Sequence, residues 1–103
     1  MYIRKIEETE AECFDLPDEG FVFGENKVQG ARLGKNGNAL KAEGATRFKL
    51  YTESADFIKI LRGNGHFKWK RGETDFSEGD CFEANGVGEY EINGASEFLA
   101  IRK

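Results

Sequence analysis

Seven glycines, Gly63, Gly65, Gly72, Gly79, Gly86, Gly88 and Gly94, divide the second half of the chain into short apolar or aromatic runs. Spacings this tight leave room for strands of about five residues between turns and none for a packed helix. The pattern predicts an all-β sandwich or barrel. Nine Phe, three Tyr and one Trp fit that expectation, because aromatic side chains suit a pleated sheet surface. A chain of 103 residues supplies one core, so a single domain is expected over residues 1–103.

Charge and cysteine content narrow the partners. With a net charge of −4 and both signs interspersed, the chain repels a phosphate backbone at long range, so no nucleic-acid partner is expected. Lys68, Lys70 and Arg71 alternate with Phe67 and Trp69 and read as the solvated side of a strand. Arg4 and Lys5 interrupt the only apolar stretch after Met1, so neither a signal peptide nor a membrane span is expected, and the location implied is cytoplasmic. Cys13 and Cys81 lie far apart without metal-ligand or redox spacing, which favours two reduced, mostly buried thiols.

Periodicity places strands at Tyr2–Ile6, Phe21–Phe23, Val28–Leu33, Thr46–Tyr51, Asp56–Arg62, His66–Lys70, Asp75–Phe76, Cys81–Ala84, Glu89–Ile92 and Glu97–Ile101. Residues 7–12 read as a loop. Phe14–Leu16 runs into Pro17 and a turn, and residues 34–38 form an exposed turn. Asn93-Gly94 is expected to close a hairpin between the last two strands.

The run Ile60-Leu61-Arg62-Gly63-Asn64-Gly65, followed by Gly72, Glu78-Gly79-Asp80, Asn85-Gly86 and Asn93-Gly94, resembles the cupin superfamily. That resemblance implies a double-stranded β-helix of the jelly-roll kind, with the matching turns over about 46–101 and the N-terminal strands over about 1–45. It also implies places for metal ligands. The paired histidines fall on Lys49 and Tyr51 or, one residue out, on Leu50 and Thr52. The glutamate falls on or near Asp56, and the last histidine falls on Glu89. The chain has one histidine, His66, outside that set, so no metal and no other cofactor is expected.

Candidate binding residues are therefore Arg47, Lys49, Tyr51, Asp56, Trp69, Glu89 and Tyr90. Asp56 and Glu89 could face one another as an acid and base. The plainer reading pairs one of the two with Lys49, Arg47 or Lys59 and leaves the other at the barrel rim. A one-residue slip would turn Tyr90 inward and Glu89 outward. Tyr51, Trp69 and Tyr90 could line a site for a small organic ligand, with Arg47 and Lys49 receiving a carboxylate or phosphate, or they could belong to the core or a dimer interface. His66 reads as a surface residue, and Cys81 has nothing nearby to activate it. The expected function is metal-independent binding of a small polar or anionic molecule by a homodimer. A metal-independent isomerase or epimerase and a regulatory interaction module are the alternatives.

Overall fold

The computed structural model describes residues 1–7, 17 and 19–102, and in this span every regular element is a strand. The expectations for Cys13, Phe14–Leu16 and most of the 7–12 loop lie outside the described residues. The strands are β1 (Tyr2–Ile6), β2 (Val22–Phe23), β3 (Arg32–Asn36), β4 (Ala39–Thr52), β5 (Ala55–Gly63), β6 (Gly65–Trp69), β7 (Gly72–Phe76), β8 (Cys81–Asn85) and β9 (Gly88–Arg102). All pairings are antiparallel.

Two long strands, β4 and β9, carry the architecture. Along one edge β9 pairs with β4 over nearly its whole length, and along the other it changes partner, from β6 at Tyr90–Asn93 to β5 at Ser96–Arg102. The result is two layers that share β4 and β9. One layer runs β1-β8-β5-β9-β4-β3-β2, and the other continues from the first halves of β9 into β6 and β7. Their inner faces meet in an aromatic core. Phe67 lies with its ring centroid 4.7 Å from Phe82 and 5.2 Å from Phe76, and Phe48 meets Phe98 edge-on at 5.6 Å. Ile58, Ile60, Tyr90 and Ile92 complete the buried set.

The expected Asn93-Gly94 hairpin is not present. Residues 88–102 form one strand, and Gly94, at φ +117°, bends it at the point where its partner changes. The corner Gly63-Asn64-Gly65, which passes the chain from β5 to β6, lies directly on that bend. A Cβ on Gly65 would sit 1.9 Å from the Asn93 carbonyl oxygen, and one on Gly63 would sit 2.0 Å from that of Ala95. Asn-Gly serves here as a kink in contact with another backbone, which a local turn rule does not distinguish from a hairpin.

Other boundaries moved as well. Gly34 lies in β3 and not in a turn, because Phe21 and Phe23 cross it so closely that a Cβ would come within 2.9 Å of both. The exposed turn shrinks to Gly37-Asn38, and of the strand expected at Val28–Leu33 only Arg32 and Leu33 belong to one, β3, while Val28 and Ala31 form a single bridge around Gln29-Gly30. β4 starts seven residues before Thr46, its register shifting between Ala42 and Arg47 around Gly44, at φ +76°. Gln29 itself is left-handed at φ +52°, and its side-chain amide bonds to both the N–H (2.8 Å) and the C=O (2.9 Å) of Lys49.

The crossing predicts unequal tolerance among the glycines. Gly65→Ala, whose obstacle is backbone, should cost about 2–4 kcal/mol. Gly79→Ala, at φ +89° with nothing within 4 Å of its Cβ, should cost only about 1 kcal/mol of conformational strain. Urea unfolding midpoints of the two variants measure the difference, and equal losses would contradict it.

Candidate functional site

One end of the sandwich gathers the termination of β4, the start of β5 and the last residue of β9. Asp56 and Arg102 are direct cross-strand partners there, and Tyr90 reaches the same point from the opposite layer. The Asp56 carboxylate is almost wholly buried, with its side chain 4% exposed. Arg102 donates from Nε to Oδ1 at 2.8 Å and from Nη2 to Oδ2 at 3.1 Å, a two-pronged grip on the carboxylate. The Tyr90 hydroxyl donates to Oδ2 at 2.7 Å. Nη2 also donates to the Tyr51 carbonyl oxygen, tying the two layers together at this end.

The electrostatics follow from burial. Removal from water pushes the Tyr90 phenol well above its ordinary value, and the neighbouring Asp56 charge pushes in the same direction. Tyr90 therefore keeps its proton and donates a hydrogen bond to Asp56. The hydrogen bond to Asp56 likewise raises Arg102, which stays a cation.

Above this network lies an open depression of about 260 Å³, lined by Asn38, Leu40, Leu50, Asp56, Ala100, Ile101 and Arg102. Its walls are mainly aliphatic. Its polar end is the Asp56–Arg102 pair, with Asn38 fixed nearby by donating from Nδ2 to the Arg102 carbonyl oxygen at 3.0 Å.

Of the sequence candidates, the structure places Asp56 and Tyr90 in this network and the others outside it. Arg47 and Lys49 alternate with buried Phe48 and half-buried Leu50 and point outward. Arg47 pairs with Glu91 at 2.8 Å, which holds the Glu91 carboxyl below its usual range, and Lys49 pairs with Glu89 at 3.7 Å. The Tyr51 side chain is exposed and its hydroxyl donates to Glu53 at 2.6 Å, which raises it. Trp69 packs against the core beside Gly72. Glu89 is exposed, so Asp56 and Glu89 form no carboxylate pair, and of the two registers considered the one with Tyr90 inward is found. His66 is half-buried, opposite Asp75 and Asn93 on the neighbouring strands.

Of the two carboxylates, Glu89 is the one paired with an expected cation, Lys49, while Asp56 is buried and paired with Arg102, which was not among the cations considered. Arg102 and Asn38 were not among the sequence candidates. Arg102 follows four buried residues, Phe98 to Ile101, and alternates in step with Phe98 and Ala100, so its inward direction could be counted once β5 and β9 were known to pair.

The inward positions at this end of β4 are Leu50 and Thr52, the second of the two registers considered for a histidine pair. Leu50, Thr52, Asp56 and Tyr90 do not fit a transition metal. They include no imidazole or thiolate, and both Asp56 oxygens already accept hydrogen bonds from Arg102 and Tyr90. Among the described residues no group of three or more His, Cys, Asp or Glu is placed to hold a metal ion. Nor do they include a helix long and apolar enough to cross a membrane.

No protein-family model and no curated protein sequence matches the chain. Solved structures do. The mannose 6-phosphate isomerase of Bacillus subtilis is similar over 82% of this chain, with a TM-score of 0.60 and 13% identity, and this chain spans 29% of that protein. The cupin domain of Drosophila melanogaster CENP-C is similar over 95% of this chain and 100% of its own length, with a TM-score of 0.57 and 14% identity. An RmlC-like cupin of Shewanella frigidimarina is similar over 95% of this chain and 92% of its own, with a TM-score of 0.56 and 16% identity. The chain has the cupin fold, the all-β jelly-roll barrel to which its glycine pattern pointed. Identities this low speak to fold and not to chemistry.

The buried phenol makes stability depend on alkali in a particular way. A phenol whose folded value lies above its unfolded value of about 10 contributes stability that is complete below pH 10 and declines as pH rises from there towards the folded value. Urea midpoints measured from pH 9 to 11.5 should therefore fall above pH 10. Tyr90→Phe should remove that part of the fall while costing about 1–2 kcal/mol at neutral pH. An identical alkaline profile in the variant would show that Tyr90 is not the group responsible.

Proposed function

We propose that this protein binds a small organic molecule in the depression over Asp56 and Arg102, without a metal. The observation that carries the reading is the construction of that end of the barrel. Aliphatic walls from Leu40, Leu50, Ala100 and Ile101 meet a polar group already held in place from both layers. A site with one fixed polar anchor and apolar walls favours a ligand with the complementary division. At about 260 Å³ it lies just under the roughly 300–1,000 Å³ usual for drug-sized ligands, so its occupant is a compound of a few carbons.

Binding is preferred to turnover because Tyr90 stays protonated and both carboxylate oxygens of Asp56 are engaged, which supplies neither a free base nor a ready acid at neutral pH. The isomerase named among the structural neighbours is mostly sequence that this chain lacks, and its activity is not carried over.

A fragment library screened by amide chemical-shift mapping tests the site. Hits should cluster on Leu40, Leu50 and Ala100, and Leu50→Trp, which fills the depression from its wall, should weaken them at least roughly tenfold while the fold is retained. Hits confined to other surfaces, or unaffected by Leu50→Trp, would reject the assignment.

A further inference from the structure

The polar end of the depression is rich in donors, with the Asn38 amide oxygen as a side-chain acceptor beside them. Asp56 has three hydrogen bonds arriving on its two oxygens, from Arg102 Nε, Arg102 Nη2 and the Tyr90 hydroxyl, and its side chain is 4% exposed. Little acceptor capacity remains for a ligand. Arg102 is different. Its Nε and Nη2 are committed to Asp56 and the Tyr51 carbonyl, while Nη1 has no hydrogen-bond partner among the described residues. The side chain is 52% exposed and lines the depression, and the anchoring of Nε and Nη2 fixes the plane of the guanidinium. Asn38 Nδ2 spends one N–H on the Arg102 carbonyl oxygen and keeps its second.

From this geometry we infer that the ligand is a short-chain monocarboxylate, its carboxylate received by Arg102 Nη1 and its apolar tail lying between Leu40, Leu50 and Ala100. The inference rests on the depression being a binding site and adds the chemical class of its occupant. An amine is disfavoured because it would meet an exposed guanidinium and find no free acceptor on Asp56. A neutral carbonyl could take the same donors, but a carboxylate adds the attraction of its full charge to the guanidinium and a second accepting oxygen. Inorganic phosphate could reach Nη1 but leaves the aliphatic walls unfilled. Arg47 and Lys49, the cations that sequence alone offered for this role, point outward and already have carboxylate partners.

The test is a titration series matched in length, hexanoate, hexanamide, hexylamine and inorganic phosphate, followed by amide chemical shifts on the wild-type protein and on Arg102→Gln. Hexanoate should shift Leu40, Leu50 and Ala100 and bind roughly tenfold more tightly than hexanamide, and Arg102→Gln should erase that difference. Equal binding of hexanoate and hexanamide at those amides would overturn the carboxylate assignment and leave the site standing. Tightest binding by hexylamine or phosphate would overturn it as well. If no compound shifts those amides at tens of millimolar, both the class and the site fall. Should Arg102→Gln fail to fold, the wild-type order of affinities decides alone.

Discussion

Everything in this barrel depends on one place where two stretches of backbone touch. The Gly63-Asn64-Gly65 corner rests on β9 at Asn93–Ala95, and Gly94 in turn approaches Asn64 so closely that its own Cβ would lie 2.5 Å from that carbonyl oxygen. Three glycines remove the side chains that would hold these segments apart. Their contact lets β9 exchange β6 for β5 without ending, and so puts both layers on one continuous strand. The aromatic pairs between layers, such as Phe67 with Phe82, can form only once that exchange has set the layers face to face. Packing then adds the bulk of the stabilisation through burial of apolar area.

The same exchange builds the candidate site. With β5 paired to the second half of β9, Asp56 stands beside Arg102. With the first half of β9 in the other layer, Tyr90 faces them both. A buried carboxylate without partners would be costly, and here a cation and a phenol on different layers both bind it. The group is therefore a structural clamp, and its Arg102 side chain remains half exposed. In the proposed reading, structural and binding roles fall on different nitrogens of one guanidinium.

Much of the fold was legible in local chemistry. Glycine spacing marked most strand ends, and alternation correctly set Phe67 and Trp69 against Lys68 and Lys70. What local rules missed was glycine used for closeness in place of turning. Gly94 and Gly34 lie inside strands, and only contacts with residues distant in sequence reveal why. The site was half legible for a related reason. Asp56 and Tyr90 stood out as a carboxylate and an aromatic near the resemblance's ligand positions. Arg102 lay outside any motif, and its pairing with Asp56 depends on strand partners 46 residues apart. The counting that put Lys49 and Tyr51 at a site was one residue from the inward pair, and on a strand one residue is the difference between core and water.

Gln29 shows the same economy at the edge of β4. Its amide presents one acceptor and one donor to Lys49, the pair of groups that a neighbouring strand would present at that position. A single side chain thus counterfeits one residue of a strand and occupies a rung that another polypeptide would otherwise use to extend the sheet. The left-handed backbone of Gln29, uncommon for a residue with a side chain, acquires a purpose in that light. It aims the counterfeit rung at a flank of β4 that no strand among the described residues covers.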